Sequence, residues 1–205
     1  FFGARTYRFN FRAALQQFRE GRSNPTTQQE TRTTDTLIAF FSTTVDEEEF
    51  EVYVSSPEYA SSDEEWHQVE LTLSDLEEIR GKDVDINFVV FQDDTAPHAT
   101  FYIDDVELDF TIATPTPVVG TPTATPGPSM CEDGYLKNCG FETNDSWYVL
   151  DMEATTMGVH SGNRALSSMP GTSGMALQPV AIPANVSGGA LTFYWKNENP
   201  DTGDA

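Results

Sequence analysis

The most informative polar feature of the chain is the pair Asp104-Asp105, set in the strand-like run 101–110. Strict alternation puts Phe101 and Ile103 on one face of a strand, and Val106, Leu108 and Phe110 on the other. Keeping all five in a core requires a phase shift between Ile103 and Val106, which a β-bulge provides. A bulge re-aims the two carboxylates at the sheet edge. There they are either solvated turn groups or oxygen ligands for a hard cation. Ca²⁺ takes several carboxylate and carbonyl oxygens at about 2.3–2.6 Å, so the residue type suits it.

A second chemistry open to these residues is sugar recognition, which uses an aromatic ring under the pyranose face and a few polar groups that fix hydroxyls. Alternation turns Tyr194 and Lys196 away from Leu191, Phe193 and Trp195, and turns Arg8 and Arg12 away from Tyr7, Phe9 and Phe11. Tyr53 and Tyr102 also face away from their apolar neighbours. The candidate ligand residues are therefore Tyr194, Lys196, Arg8, Arg12 and Tyr53. Ordinary strand packing accounts for exposed Tyr on a sheet equally well. Trp66, Trp147 and Trp195 read as core.

The two cysteines, Cys131 and Cys139, flank the turn-forming Asp133-Gly134, so their Cα atoms can come within bridging distance. Closing so small a loop stabilises by roughly 2.5 kcal/mol on the chain-entropy estimate. A disulfide beside a Pro-Thr stretch points to an oxidising, external compartment; free thiols in a reducing one are the alternative. The spacing is not a zinc pattern, and no His stands beside it.

Signatures of catalysis are missing from the sequence. It has no Gly-x-Ser-x-Gly elbow, no His-Glu-x-x-His, no phosphate-cradling glycine loop and no dinucleotide fingerprint. His67, His98 and His160 are scattered. Paired carboxylates for glycoside hydrolysis arise by chance among 33 acidic residues and carry no weight. With only 11 basic residues the net charge is −22, the wrong sign for a phosphate backbone or an anionic membrane surface. Nucleic acid and membrane insertion are excluded as expectations. Neutral, cationic or metal-bridged partners remain.

The elements that must position these groups read as β throughout. Short apolar runs at Leu37–Phe41, Phe50–Val54, Val69–Leu73, Val84–Phe91 and Phe101–Phe110 are bounded by Ser, Asp, Gly or Pro. Ala176–Ile182 and Leu191–Trp195 continue the pattern, with weaker strands at Trp147–Leu150 and Ala165–Ser168. Period two over several such runs predicts a sandwich with one wet face per sheet. Ser74–Ile79 suggests one helical turn, and Ala13–Glu20 also scores as helix.

Residues 113–129, ATPTPVVGTPTATPGPS, hold five Pro and five Thr and no charge. That composition favours an extended spacer reaching up to ~50 Å at ~3.1 Å per residue. The run Tyr7-Arg8-Phe9-Asn10-Phe11-Arg12 matches Leu191-Thr192-Phe193-Tyr194-Trp195-Lys196 in alternation. The chain is thus expected to be a fragment: residues 1–112 the C-terminal part of a first module, 113–129 a linker, and 130–205 the N-terminal part of a second. Docking of the two parts as one permuted sandwich is a further expectation.

Asn138-Cys139-Gly140-Phe141-Glu142 with Trp147 resembles the Asn-Gly-Gly-Phe-Glu…Trp opening of CenC-like carbohydrate-binding modules, Cys139 standing for the first Gly. Val159-His160-Ser161-Gly162-Asn163-Arg164-Ala165-Leu166 resembles their next Ser-Gly…Ala-Leu strand. Trp66…Val69–Ser74…Gly81–Val84…Phe88 is similar to their later strands, and Phe101–Leu108 to their closing strand. The resemblance implies an all-β, jelly-roll-like antiparallel β-sandwich of the galactose-binding-like kind, here as two truncated modules. It implies a structural Ca²⁺ between the closing strand and the opening segment, with Asp105 and Glu142 as ligands beside Asp104. Because these residues fall in different copies, each copy is expected to hold half a site.

The expected function is non-catalytic binding of a polysaccharide or glycan, outside the cell or at its surface. Any catalytic domain would lie elsewhere in the parent chain, whose other modules are further partners. MAM-type adhesion domains share these motifs, so a structural or adhesion spacer is the alternative.

Overall fold

The computed structural model describes residues 35–44, 50–55, 64–73, 79–92, 98–112 and 134–198. Arg8, Arg12, Cys131, the 7–12 run, the stretch 13–20, residues 74–78 and the linker 113–129 lie outside them, as does the Tyr53 side chain. Ten strands are present and, among the described residues, no helix: β1 (Thr36–Thr44), β2 (Phe50–Ser55), β3 (His67–Thr72), β4 (Asp83–Phe91), β5 (Thr100–Ile112), β6 (Tyr148–Leu150), β7 (Met152–Thr155), β8 (Ala165–Ser168), β9 (Gly174–Ala181) and β10 (Val186–Glu198). Only β7 has no counterpart in the sequence reading. It follows β6 after the single residue Asp151, whose φ of 53° turns the chain from one sheet to the other.

The strands form two five-stranded antiparallel sheets, β2-β1-β4-β9-β6 and β3-β10-β5-β8-β7. Strands from either side of the Pro-Thr stretch pair in both. In the first sheet Phe88 of β4 faces Ala176 of β9. In the second, β10 enters between β3 and β5, with Leu191 opposite Leu71 on one side and Leu108 on the other.

Alternation supplies the interior. Leu37, Ala39 and Phe41 of β1 and Ile86, Phe88 and Val90 of β4 meet Phe101, Ile103, Leu191, Phe193 and Trp195 from the facing sheet. Phe193 stands edge-on to Phe88 with ring centroids 4.9 Å apart, and both are fully buried. The first sheet departs from the one-wet-face expectation. Ile38, Phe40, Val89, Phe91, Met175 and Leu177 form a second buried cluster on its other face. The physical reason lies in β1 and β4 themselves, whose runs LIAFF and INFVVF are nearly continuous rather than alternating, as in strands covered on both sides.

Phe193 is fully buried near the middle of β10, an interior strand of its sheet, so Phe193→Ala should cost about 3–5 kcal/mol. Equilibrium denaturant unfolding checks this; a loss below 1 kcal/mol would mean that β10 is not held between β3 and β5.

Candidate functional site

With the first sheet buried on both faces, the polar outer face is that of the second. Gln68, Glu70 and Thr72 of β3 are exposed there, and Thr192, Tyr194 and Lys196 of β10 are half-buried beside them. Position on this face follows from alternation against the buried Leu191, Phe193 and Trp195.

The bulge expected in the closing strand lies in β5. Thr192 pairs with Glu107 and Tyr194 with Asp104, so Asp105 and Val106 together oppose Phe193. Asp105 adopts φ 48°, a left-handed conformation that Asp tolerates better than most residues. The consequence is that Ile103 and Val106 both reach the core while the carboxylates between them separate.

Asp104 is fully buried. Its Oδ2 accepts hydrogen bonds from the main-chain N–H of His160 (2.9 Å) and Ser161 (3.1 Å), and Oδ1 accepts from Asp105 N–H (2.8 Å). Burial pushes its pKa up to about 6, against the lowering effect of these N–H donors. Glu142 approaches from the 134–147 segment. Its Oε1 accepts from Asn163 N–H at 2.7 Å and Arg164 N–H at 3.3 Å, and these donors hold it below the usual carboxylate range. Gly140 lies between the two acids: a Cβ there would stand 3.6 Å from Asp104 Oδ1 and 3.9 Å from Glu142 Oε1. Val106 N–H donates to Cys139 O at 3.1 Å, tying the bulge to the same turn. Loop 159–164 thus clasps both carboxylates with its own N–H groups. Gly162, at φ 70°, has no room for a side chain, since a Cβ would fall on Glu142 Oε1.

Asp105 turns the other way. Its Oδ2 bonds His160 Nδ1 at 2.6 Å, and its Oδ1 accepts from Ser161 Oγ at 2.6 Å. The His160 ring lies on Tyr194, centroids 3.9 Å apart and planes 18° apart, and Trp66 stands against it at 5.1 Å and 65°. Lys196 Nζ bonds Glu198 Oε1 at 2.6 Å and sits 5.5 Å from the Trp66 ring and 5.1 Å from the Tyr102 ring. Tyr102 donates to Glu198 Oε2 at 3.2 Å; its own burial, with Glu198 close by, moves its pKa to about 12.

The structure therefore gathers Asp104, Asp105, Glu142, Tyr194 and Lys196 at one end of one sheet, from both sides of the linker. The resemblance assigned the first metal ligand to Asp105; beside Gly140 and Glu142 stands Asp104 instead. The oxygens of Asp104 and Glu142 are hard donors of the kind Ca²⁺ takes. Among the described residues, however, no three Asp, Glu, His or Cys side chains converge, so other ligands would have to be main-chain carbonyls or water. Tyr53 belongs to β2, in the other sheet. Cys139 is disulfide-bonded; Cys131, its expected partner and the only other cysteine of the chain, lies outside the described residues.

Trp66, expected in the core, is instead half-buried on the outer face, because Val69 and Leu71 point inward and Trp66 shares the phase of Gln68 and Glu70. That alternation was the missed signal. The sequence places His160 and Ser161 in the Ser-Gly…Ala-Leu motif without giving them a role at the site; they become neighbours of Asp105 only through the loop. At the edge of the sandwich a separate cleft of about 300 Å³ lies over Trp147, Phe141 and Leu166, rimmed by Arg164, Asn144 and Glu153.

No protein-family model, curated protein or solved structure matches the chain. The class defined by the fold is an all-β protein of two packed antiparallel sheets. Among the described residues no helix is long and apolar enough to cross a membrane.

Two predictions follow from the clasp. Folded Asp104 binds its proton more tightly than the unfolded chain, whose Asp pKa is about 3.9, so its contribution to stability rises as pH falls from about 6 toward 4. In EDTA, the melting temperature of Asp104→Asn relative to the parent should fall over that window; a pH-independent difference would refute the burial argument. Gly162→Ala should destabilise by about 1–3 kcal/mol, read as a lower denaturant midpoint. An unchanged midpoint would show that loop 159–164 does not hold Glu142.

Proposed function

We propose that this chain is a non-catalytic carbohydrate-binding module of an extracellular or cell-surface protein. The observation that supports it is the outer face of the second sheet, where Trp66, His160 and Tyr194 cluster beside Lys196 and Asp105. Rings next to hydrogen-bonding side chains are what a pyranose needs: apolar contact for its face and donors or acceptors for its hydroxyls. The ligand is a neutral polysaccharide, since a chain of net charge −22 repels polyanions. Ca²⁺, in this reading, is structural. Asp104 and Glu142 hold it beside Gly140, and its charge offsets the burial of Asp104. The disulfide of Cys139 agrees with an oxidising compartment. Any catalytic activity of the parent protein would lie outside this module.

One observation favours a second reading, a structural or adhesion spacer without a sugar site. The polar groups of the cluster already bind one another: Lys196 and Tyr102 to Glu198, and Asp105 to His160 and Ser161.

Affinity electrophoresis against a panel of soluble polysaccharides, in Ca²⁺ and then in EDTA, separates the two. The sugar reading expects retardation by at least one neutral glycan, weakened about tenfold or more in Trp66→Ala and Tyr194→Ala, a loss of roughly 1.4 kcal/mol. If EDTA abolishes retardation, the metal shapes the site; if not, the metal is dispensable. A folded protein that no glycan retards would move the assignment to the spacer.

A further inference from the structure

The first sheet is buried on both faces, but only one of them meets the second sheet. On the other, Ile38 and Phe40 of β1, Val89 and Phe91 of β4, and Met175 and Leu177 of β9 are each at most 7% exposed. Polar neighbours share that burial. Thr36 and Ser42 continue the same phase of β1, Asn87 that of β4, and each is 5% exposed. Asn87 Nδ2 donates to Ser42 Oγ at 2.9 Å in this dry setting. The covered area also has an edge: Pro179 and Ala181, next in the same phase of β9, are exposed.

A bare sheet face is open to water, so side chains this dry have something above them. Among the described residues every member of the cluster, the half-buried Leu150 included, belongs to the sheet itself. The described loops pack elsewhere. Leu136, Phe141 and Trp147 lie in the inner core, loop 159–164 lies against Asp104 and Glu142, and Gly171 and Ser173 bond Gln92 at the end of β4. A second copy is not the cover either, because the burial is that of one chain. The cover is a stretch of this chain outside the described residues.

Composition selects the stretch. Residues 1–18 hold five of the chain's 14 Phe, and Tyr7, Phe9 and Phe11 alternate with polar residues as on a face that packs. By contrast, 113–133 offers only Val118, Val119 and Met130 among Pro, Thr and Gly, and 45–49, 56–63, 74–78, 93–97 and 199–205 offer no more than one large apolar residue each. Charge selects the same stretch. Residues 1–34 carry six of the 11 basic residues and two of the 33 acidic ones, so they are drawn to the acidic remainder of the chain. Asp85, opposite Ser42, stands half-buried at the edge of the covered area as a carboxylate for such a segment. Gly21 and Asn24-Pro25 supply turn chemistry between residues 1–18 and β1.

We propose that residues 1–18 pack over the outer face of the first sheet and bury the cluster of Ile38, Phe40, Val89, Phe91, Met175 and Leu177. Arg8 and Arg12 then lie with the first sheet and take no part in the aromatic cluster on the second. The cover is independent of what that second sheet binds.

Photo-cross-linking in the full chain tests it. Phe9 is replaced by photoreactive p-benzoylphenylalanine, and the linked peptides are mapped by mass spectrometry. Links to 87–91 and 175–177 should exceed those formed in denaturant at least severalfold; the same probe at Phe11 repeats the test. Links to 66–72 or 192–196 instead, or none above the denatured level, overturn the proposal. So does a probe at Val118 that reaches 87–91 and 175–177 when those at Phe9 and Phe11 do not, since the linker would then be the cover. Thiol labelling gives a second readout. Met175→Cys lies on the covered face and Ala176→Cys in the inner core. Adding Phe9→Asp with Phe11→Asp should speed labelling at position 175 about tenfold or more, by local uncovering, and leave position 176 protected. Equal protection of both thiols with and without these substitutions overturns the cover.

Discussion

The structure depends on β10 lying between β3 and β5. A sheet is stabilised by pairs of neighbouring strands, and without β10 the strands β3 and β5 would each show an unpaired ladder to the other across an empty track. The insertion also sets the core, because the row Leu191, Phe193 and Trp195 lies over Phe88 of the first sheet and beside Phe101 of β5. It sets the bulge as well. The apolar residues of β5 stand in two phases, and pairing with β10 absorbs that mismatch where Asp105 and Val106 share a single partner.

From that one irregularity come two carboxylates with opposite environments. Asp104 continues the outward phase of Tyr102, but loop 159–164 lies over it and excludes water, so its three N–H donors work against a cost of desolvation. Asp105, in the left-handed conformation, emerges beyond the loop and meets an imidazole and a hydroxyl. Adjacent in sequence and alike in chemistry, they become a buried acid beside Gly140 and an anchor for the aromatic cluster. Separation of this kind is what a bulge does that a regular strand cannot, since regular alternation would only place them on opposite faces.

Much of this was legible in the residues. Short apolar runs bounded by turn residues located nine of the ten strands, and the phase conflict between Ile103 and Val106 located the bulge. The missing strand, β7, is short and contains only Met152 and Ala154 as apolar positions, too little pattern to register. Burial of both faces of the first sheet was visible in LIAFF and INFVVF, but the general expectation of one wet face outweighed it. The site was legible strand by strand and not as a whole. Tyr194 and Lys196 followed from alternation, whereas the approach of His160 to Asp105, across 55 positions, is a product of loop geometry that no local pattern encodes. The placement of Asp104 rather than Asp105 beside Gly140 has the same origin: sequence placed the pair at a bulge, and only the backbone conformation decides which member faces Gly140.

The outer-face cluster also constrains what could be recognised there. Lys196 Nζ lies 5.5 Å from the Trp66 ring, yet Glu198 holds its ammonium at 2.6 Å, so the pair presents little net charge. Asp105 is likewise engaged by Ser161 and by the His160 ring, which covers Tyr194. Attraction by net charge is therefore weak at this face, and an incoming anion would meet the acidic remainder of the surface first. Discrimination would have to come from ring contact and from exchanging these internal hydrogen bonds for bonds to a ligand. Exchanging one satisfied hydrogen bond for another gains little, so affinity would rest mainly on apolar contact with Trp66. On the reading proposed above, such a face would suit a neutral ligand held by ring contact better than a small anion held by charge.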